Sequence, residues 1–248
     1  MKKILKNTVF IILFSILVLS TGLSAYLCFS IASNRNLSGE WTAELDMTEQ
    51  AVVTALDWLQ DMEAVSVSVQ DMEAHMQGLT ITLNLKLQQT SRSAGTFVSG
   101  IVPESYTACS QAAYEAFAAA FRELVAERLH MAGYDGDTSQ EAVEALITET
   151  FGMPTVSYLL SCEPDLLPSL EDLQAQYDSS GTYQTSDGIL TRQSDSGSLL
   201  RAKSERYIRK DSTLILTEEA DPAALGYFTD DYPMIYTLQQ SNELQSPF

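Results

Sequence analysis

The sequence predicts an α+β protein in which an antiparallel β-sheet is interrupted by a helical insertion and preceded by an N-terminal transmembrane helix. Three observations predict this fold class. Residues 8–32 form an uncharged apolar run, period-two hydrophobic patterns occupy residues 39–48 and 79–88 and recur between residues 181 and 239, and helical periodicity fills much of the stretch before residue 181. Strands followed by helices and again by strands favour an interrupted sheet over alternating βαβ units.

The N-terminal segment has the length and charge of a membrane anchor. Lys2, Lys3 and Lys6 precede the uncharged run TVFIILFSILVLSTGLSAYLCFSIA. A helix of this length rises about 37 Å, more than the ~30 Å hydrocarbon core of a bilayer. Because positive flanks stay in the cytoplasm, we expect residues 1–33 to be a single-pass transmembrane anchor and the rest of the chain to lie outside the cytoplasm.

A cleavable signal peptide is the alternative interpretation of this segment. Residues 30–32 (Ser-Ile-Ala) resemble a small-x-small cleavage site, although the apolar run is longer than the ~7–15 residues usual in signal peptides. Cys28 follows Tyr and Leu instead of the small residues of a lipoprotein signal, so we interpret it as buried in the membrane. Both interpretations export residues 38–240 as one domain.

Composition and charge limit the classes of partner. The chain has 248 residues, of which 45% are hydrophobic, enough for one sizeable core. Its net charge is −19, and without the three N-terminal lysines it is −22, from 11 basic against 33 acidic residues. Because phosphate binding needs clustered Lys and Arg, the sequence predicts no nucleic-acid partner.

The first strands are predicted from alternation. Residues 39–48 alternate apolar and polar side chains, and residues 79–88 do so most clearly, with a row of Leu and Ile on one face. Between them we expect a helix over residues 49–63 with Thr48 as its N-cap, a strand over residues 65–70, and a loop up to residue 78. A flexible connector is predicted for residues 91–96.

The inserted segment, residues 103–178, is predicted to be helical. Its first helix begins at Pro103 and is rich in Ala, and Thr138 and Glu141 have the spacing of a capping box for the second. Residues 156–160 are compatible with either a helix or an extended segment. The predicted helices are residues 103–131, 138–151 and 164–177.

The sheet resumes with GTYQTSDGILTRQ, residues 181–193. Two short alternating segments flank a Ser-Asp-Gly turn, a strong hairpin signal. A second hairpin over residues 206–218 and a last strand over residues 234–239 follow. We expect residues 181–193 to pair within the sheet that contains the first strands, which requires contacts across the whole insertion.

Several of these residues resemble a known pattern. Gly39-Glu40-Trp41 has the G-x-W spacing at the mouth of a first strand, and the strands after residue 180 are similar to the closing meander of bacterial lipocalin-like envelope domains. The resemblance covers residues 38–90 and 180–240. It implies a β-barrel with Gly39 and Trp41 as structural residues at one end. The last strand lacks the family's Arg that packs over the Trp, so a closed barrel and an open, helix-capped sheet both remain as alternatives.

The cysteines outside the membrane segment are Cys109 and Cys162. In an exported domain they can form a disulfide, and the alternative is two free thiols. The sequence does not decide between the two.

No known catalytic or metal-binding signature occurs in the sequence. His75 is expected in an exposed loop and His130 near a helix end. The acidic stretch DGDTSQE, residues 135–141, lacks the Gly and Glu positions of a calcium loop. We therefore predict no catalytic residues, no metal and no cofactor.

The sequence accordingly favours a non-enzymatic, membrane-anchored binding domain of the cell envelope. Its partners besides the membrane would be a small apolar ligand inside the sheet or another envelope protein. Two alternatives stay open. The first is a protein–protein interaction module that uses the helices of residues 103–178, and the second is an exported hydrolase whose residues meet only in the fold.

Overall fold

Eight antiparallel strands form a closed barrel in the order β1 to β8. The structure, a computed structural model, describes residues 36–61, 69–162, 165–195, 202–218 and 232–239. The strands are β1 (Gly39–Asp46), β2 (Thr80–Gln89), β3 (Ala94–Ile101), β4 (Ser179–Ser186), β5 (Ile189–Ser194), β6 (Ala202–Lys210), β7 (Thr213–Glu218) and β8 (Met234–Leu238). The predicted barrel is confirmed, and the alternative of an open sheet is wrong.

Helices lie between successive strands at two places, between β1 and β2 and between β3 and β4. They are α1 (Thr48–Asp61), α2 (Val69–His75), α3 (Pro103–Met131), α4 (Gln140–Phe151), α5 (Thr155–Ser161) and α6 (Leu170–Tyr177). The last four follow one another between β3 and β4, where the sequence predicts the helical insertion. Helix α6 begins at Leu170, six residues later than predicted, because the Ser169 side chain caps it by accepting the Asp172 amide at 3.1 Å.

The predicted transmembrane anchor, residues 1–33, lies outside the described residues. In the described ranges, no helix combines the length and the apolar character needed to cross a membrane.

Two local predictions are wrong. Val69 and Gln70 were expected to end a strand and the residues after them to form a loop, but Val69–His75 is helical. Met72 and Met76 are both fully buried and lie four residues apart, so helical spacing prevails over the short Val alternation. The connector predicted for residues 91–96 instead leads into β3 at Ala94, whose alternation is hidden by its small residues.

The helix caps also differ by one or two positions from those predicted. Thr48 is the first residue of α1, and its amide donates to the Asp46 Oδ1 at 2.9 Å. The α4 cap is Ser139 in place of Thr138, since the Ser139 hydroxyl accepts the Ala142 amide at 3.3 Å. Both helices keep a side-chain acceptor at their N-terminal ends, which satisfies otherwise unpaired amides.

The chain divides into two compact units. Unit 1 comprises Met1–Trp41, Lys86–Phe97 and Ser180–Phe248, and unit 2 comprises Thr42–Leu85 and Val98–Ser179. Aromatic packing forms part of the core of unit 2. There Trp58 lies edge-on to Phe117 and Phe121, whereas the exposed Phe151 stacks on Tyr158 at the surface, with 4.2 Å between ring centroids.

Cys109 and Cys162 are both free thiols in the structure. Cys109 is buried in α3, whereas Cys162 is exposed at the C-terminal end of α5. The disulfide between them, one of the two alternatives left by the sequence, is therefore not formed. Burial, followed by the nearby Asp46 carboxylate, raises the pKa of the Cys109 thiol and lowers its reactivity.

Candidate functional site

The Trp residue predicted at the barrel end is fully buried in unit 1. Trp41 donates its indole N–H to the Leu37 carbonyl at 2.9 Å, and the Arg209 guanidinium lies over its ring at 5.5 Å from the centroid. The lipocalin-like resemblance places such an Arg on the last strand, which has none. Strand β6 supplies the cation instead, so the cation–π contact is present with a different origin.

Gly39 belongs to the same end of the barrel. Its φ of 151° lies in the region that residues with a side chain rarely adopt, and an added Cβ would collide with the Leu238 side chain. Gly39 is thus required by its backbone conformation, and a Cβ there would also displace the Leu238 methyl group. Gly39 and Trp41 both serve backbone geometry and packing at this end of the barrel.

The β4–β5 hairpin brings two polar side chains to the inner face of the barrel. Its turn uses Asp187 and Gly188, whose φ angles of 51° and 80° match the right-handed twist of the strands. The register pairs Tyr183 with Arg192, and side-chain alternation turns both inward with Leu190. Tyr183 is 2% exposed and Arg192 9% exposed, so the hairpin buries a charge.

Arg192 is paired with Glu205 of strand β6. The guanidinium donates from Nε to Oε2 at 2.8 Å and from Nη2 to Oε1 at 2.7 Å, and the Glu205 side chain is completely buried. Burial alone would lower the pKa of Arg192, but the Glu205 carboxylate outweighs it and the pKa lies above its ordinary value. The Arg192 guanidinium therefore stays charged inside the barrel.

Two further side chains converge on the Glu205 carboxylate. The Tyr232 hydroxyl donates a short hydrogen bond to Glu205 Oε1, and the Lys203 ammonium lies 3.7 Å from the same oxygen and 5.0 Å above the Tyr232 ring. Burial and then the carboxylate raise the pKa of Tyr232 well above its ordinary value. The phenol consequently remains a protonated donor at any physiological pH.

The Tyr183 hydroxyl differs from the polar groups of Arg192, Glu205 and Tyr232 in its hydrogen bonding. It is buried, and no atom of the described residues forms a hydrogen bond with it. Burial, followed by Tyr207, raises its pKa, so it is a neutral donor. Its ring is accommodated by Gly95 of β3, where a Cβ would come within 2.7 Å of the ring. A buried hydroxyl without a partner is uncommon and calls for a water or a ligand.

We call Tyr183, Arg192, Lys203, Glu205 and Tyr232 the barrel cluster. All five lie in unit 1. Within the cluster two cations share one carboxylate, and Tyr183 offers a donor. Such a set suits the binding of an anionic group through charge-assisted hydrogen bonds. The Phe97 ring lies under the Arg192 guanidinium, 5.5 Å from its centroid.

A concave feature lies in unit 2, between helices α2 and α3. It is an open groove of 530 Å³ lined by Asp71, Met72, Ala74, His75, Ala120, Glu123, Leu124 and Glu127. His75, expected in a loop, is helical and lies with its Nε2 atom 3.1 Å from a Glu123 carboxylate oxygen. The groove has an apolar floor and an acidic rim. His130, predicted near a helix end, is exposed in the last turn of α3.

The described ranges contain no group of three or more His, Cys, Asp or Glu residues positioned to hold a metal ion.

The sequence predicted none of the five residues of the barrel cluster. Alternation along the sequence indicates that Arg192 lies on the same face as Leu190. It does not indicate the partners of Arg192 and Glu205, because these residues come close together only in the folded chain.

Comparison with family models, with curated proteins and with solved structures finds no match to this chain.

Proposed function

We propose that this chain is a non-enzymatic, membrane-anchored binding module of the cell envelope, similar to lipocalin-like domains, with residues 1–33 as the anchor. Its barrel binds a small amphipathic anion at the barrel cluster. The observation that carries this proposal is the Tyr183 hydroxyl, which is buried, lacks a partner among the described residues, and lies across the strand pair from Arg192. A ligand oxygen next to Arg192 would satisfy it.

The charges of the cluster favour an anion over a cation or a neutral ligand. Arg192 and Lys203 together carry two positive charges against the single charge of Glu205. Burying an ion pair costs desolvation energy that its mutual attraction rarely exceeds, so a charged pair in a barrel core supports a role beyond stability. A carboxylate is the simplest group that accepts from a guanidinium and a phenol at once.

The size of the ligand follows from the packing. Trp41 and Tyr183 are among the largest fully buried side chains of the described residues and occupy much of the barrel interior. Leu214 and Leu216 of β7 are also fully buried in this interior. This packing favours a short-chain carboxylate over a bulky ligand such as a sterol.

Binding of hexanoate tests the proposal. Calorimetric titration uses the full chain in lipid nanodiscs, and hexan-1-ol serves as the uncharged probe of the same chain length, with binding to empty nanodiscs subtracted for each probe. Tyr183→Phe removes only the hydroxyl and should weaken hexanoate binding by about tenfold, the worth of one hydrogen bond to a charged group. Tyr134→Phe, at an exposed position, is the matched control. Equal hexanoate affinity of all three proteins would refute the assignment of the cluster.

The groove between α2 and α3 supports a second candidate function, the binding of a basic amphipathic segment of an envelope protein. Its apolar floor at Met72 and Leu124 and its acidic rim at Glu123 and Glu127 complement such a segment. The probe is a synthetic helical peptide with Lys on one face and Leu on the other.

Charge removal separates groove binding from general attraction to an acidic protein. Glu123→Gln with Glu127→Gln should abolish saturable peptide binding measured by fluorescence anisotropy. Glu104→Gln with Glu115→Gln removes the same charge from exposed positions of α3 that do not line the groove. Equal losses in the two double variants would exclude the groove.

A further inference from the structure

The outer face of strand β6 differs in character from the rest of this acidic chain. Alternation along β6 buries Glu205 completely and leaves Arg206, Ile208 and Lys210 exposed. Ile208 is 61% exposed, which is unusual for a large aliphatic side chain on a barrel strand. Strand β6 thus exposes one apolar side chain between two cations on its outer face.

The strand register extends this feature across three strands. Ile208 of β6 is paired with Ile215 of β7, which is paired in turn with Ile235 of β8. Ile235 is 56% exposed and Ile215 is half-buried between the other two. The three side chains form a continuous apolar row on the outside of the barrel, since paired residues lie side by side on one face of a sheet.

Two cations lie on the same face as this row. Arg206 and Lys210 are exposed on either side of Ile208, although the chain carries a net charge of −19. Neither Arg206 nor Lys210 forms an ion pair with a carboxylate in the part of the chain that the structure describes. Both cations are therefore available to an external anion.

The row also lies close to the point where the chain enters the barrel. The Gln239 amide donates to the Glu40 carbonyl at 2.8 Å, and Ile235 is four residues earlier on β8, a distance of about 13 Å along the strand. Residues 34–38 separate the predicted anchor from β1 and span at most about 18 Å when extended. A membrane that held the anchor would be within reach of this face.

We propose that the face formed by Arg206, Ile208, Lys210, Ile215 and Ile235 docks on the anionic lipid surface of the membrane that carries the anchor. The isoleucines enter the headgroup region, and the two cations contact lipid phosphates. The inference rests on the membrane anchor in the proposed function and is independent of the ligand in the barrel. A two-fold contact with a second copy is disfavoured, because it would place Arg206 and Lys210 opposite like charges.

A tryptophan reporter tests this docking in the full chain. Ile208→Trp is reconstituted in vesicles of phosphatidylcholine and phosphatidylglycerol whose acyl chains are brominated, and quenching of its emission reports contact with lipid. Val98→Trp, on β3 and 56% exposed in the native residue, is the matched control. We expect strong quenching of the residue-208 reporter and little change for the residue-98 reporter, each relative to non-brominated vesicles.

Charge reversal provides the second arm of the test. Arg206→Glu with Lys210→Glu in the Ile208→Trp chain should lower the ratio of docked to undocked protein by at least about fivefold per cation, as should vesicles without phosphatidylglycerol. Equal quenching of both reporters would overturn the proposal. A blue-shifted Ile208→Trp emission that depends on protein density and not on bromine would assign the face to a protein contact and would also overturn it.

A wrong assignment of residues 1–33 as the anchor is distinguishable from a wrong docking face. If these residues do not span the membrane, alkaline carbonate releases the chain from its native membranes. The released chain can be floated with anionic vesicles, so the docking face is tested even without the anchor.

Discussion

Tyr183 and Arg192 lie directly opposite each other on neighbouring strands inside the barrel, and their polar groups are satisfied to different degrees. The Arg192 guanidinium has two hydrogen bonds to Glu205, whereas the Tyr183 hydroxyl has none among the described residues. A core that needs no ligand would give both polar groups a hydrogen-bond partner. The proposed site instead leaves the Tyr183 hydroxyl for an oxygen atom of the ligand.

Removing the carboxylate partner should destabilise the barrel strongly. Glu205→Gln leaves the nine-tenths buried Arg192 charge without its counter-ion, and we expect the free energy of unfolding to fall by about 3–5 kcal/mol. Urea unfolding of the full chain in nanodiscs, followed by Trp41 emission in the Trp58→Phe background, measures this. The double variant Arg192→Met with Glu205→Leu should recover stability to within about 1 kcal/mol of the native chain. If the double variant were as unstable as Glu205→Gln, the pair would be a structural requirement and its retention would say nothing about binding.

Stability should also fall in a defined alkaline range. Burial, and secondarily Glu205, raises the pKa of Tyr236 from 10.0 to about 12, although Arg192 acts in the opposite direction. Because the folded chain holds this proton more tightly than the unfolded chain, the stability that it contributes is fully present below about pH 10 and is lost as the pH rises towards 12.

Tyr236→Phe should therefore flatten the pH dependence of the urea midpoint between pH 10 and pH 12, by up to ~1.4 kcal/mol per pH unit. Tyr134→Phe, at an exposed position, should leave the slope unchanged. The same slope in all three proteins would contradict the position of Tyr236 in the barrel core.

The end of the barrel should not tolerate a side chain at residue 39. Gly39→Ala adds a strained backbone angle and a collision with Leu238, and we expect a loss of about 2–4 kcal/mol in unfolding free energy. Gly78→Ala is the matched control, since Gly78 also has a positive φ of 69° but its added Cβ meets nothing within 4 Å. Thermal unfolding that shifted equally in both variants would mean that the collision is absent.

Local signals in the sequence predicted most of the barrel. Asp187 and Gly188 between two alternating segments identified the β4–β5 hairpin, and Pro103 identified the start of α3, because turn geometry and helix starts depend on a few neighbouring residues. Closure of the barrel could not be predicted in this way. It depends on strand pairing across the whole insertion.

The barrel cluster lay beyond sequence reasoning for the same reason. Arg192 and Glu205 are 13 residues apart, and Glu205 and Tyr232 are 27 apart, with Tyr232 between the second predicted hairpin and the last predicted strand. The contact of Arg209 with Trp41 likewise joins distant parts of the chain. Alternation predicted which residues face inward, but only the register of the folded sheet decides which of them meet.

The most direct test of the central claim is the ¹⁹F NMR spectrum of the full chain labelled with 3-fluorotyrosine. The chain has 11 tyrosines, and the resonance missing from Tyr183→Phe identifies residue 183. If the Tyr183 hydroxyl completes a site for an anionic ligand, its resonance shifts saturably with hexanoate and not with hexan-1-ol, while that of the exposed Tyr134 stays in place. A Tyr183 resonance that does not move with hexanoate, or that moves only together with Tyr134, would contradict the account.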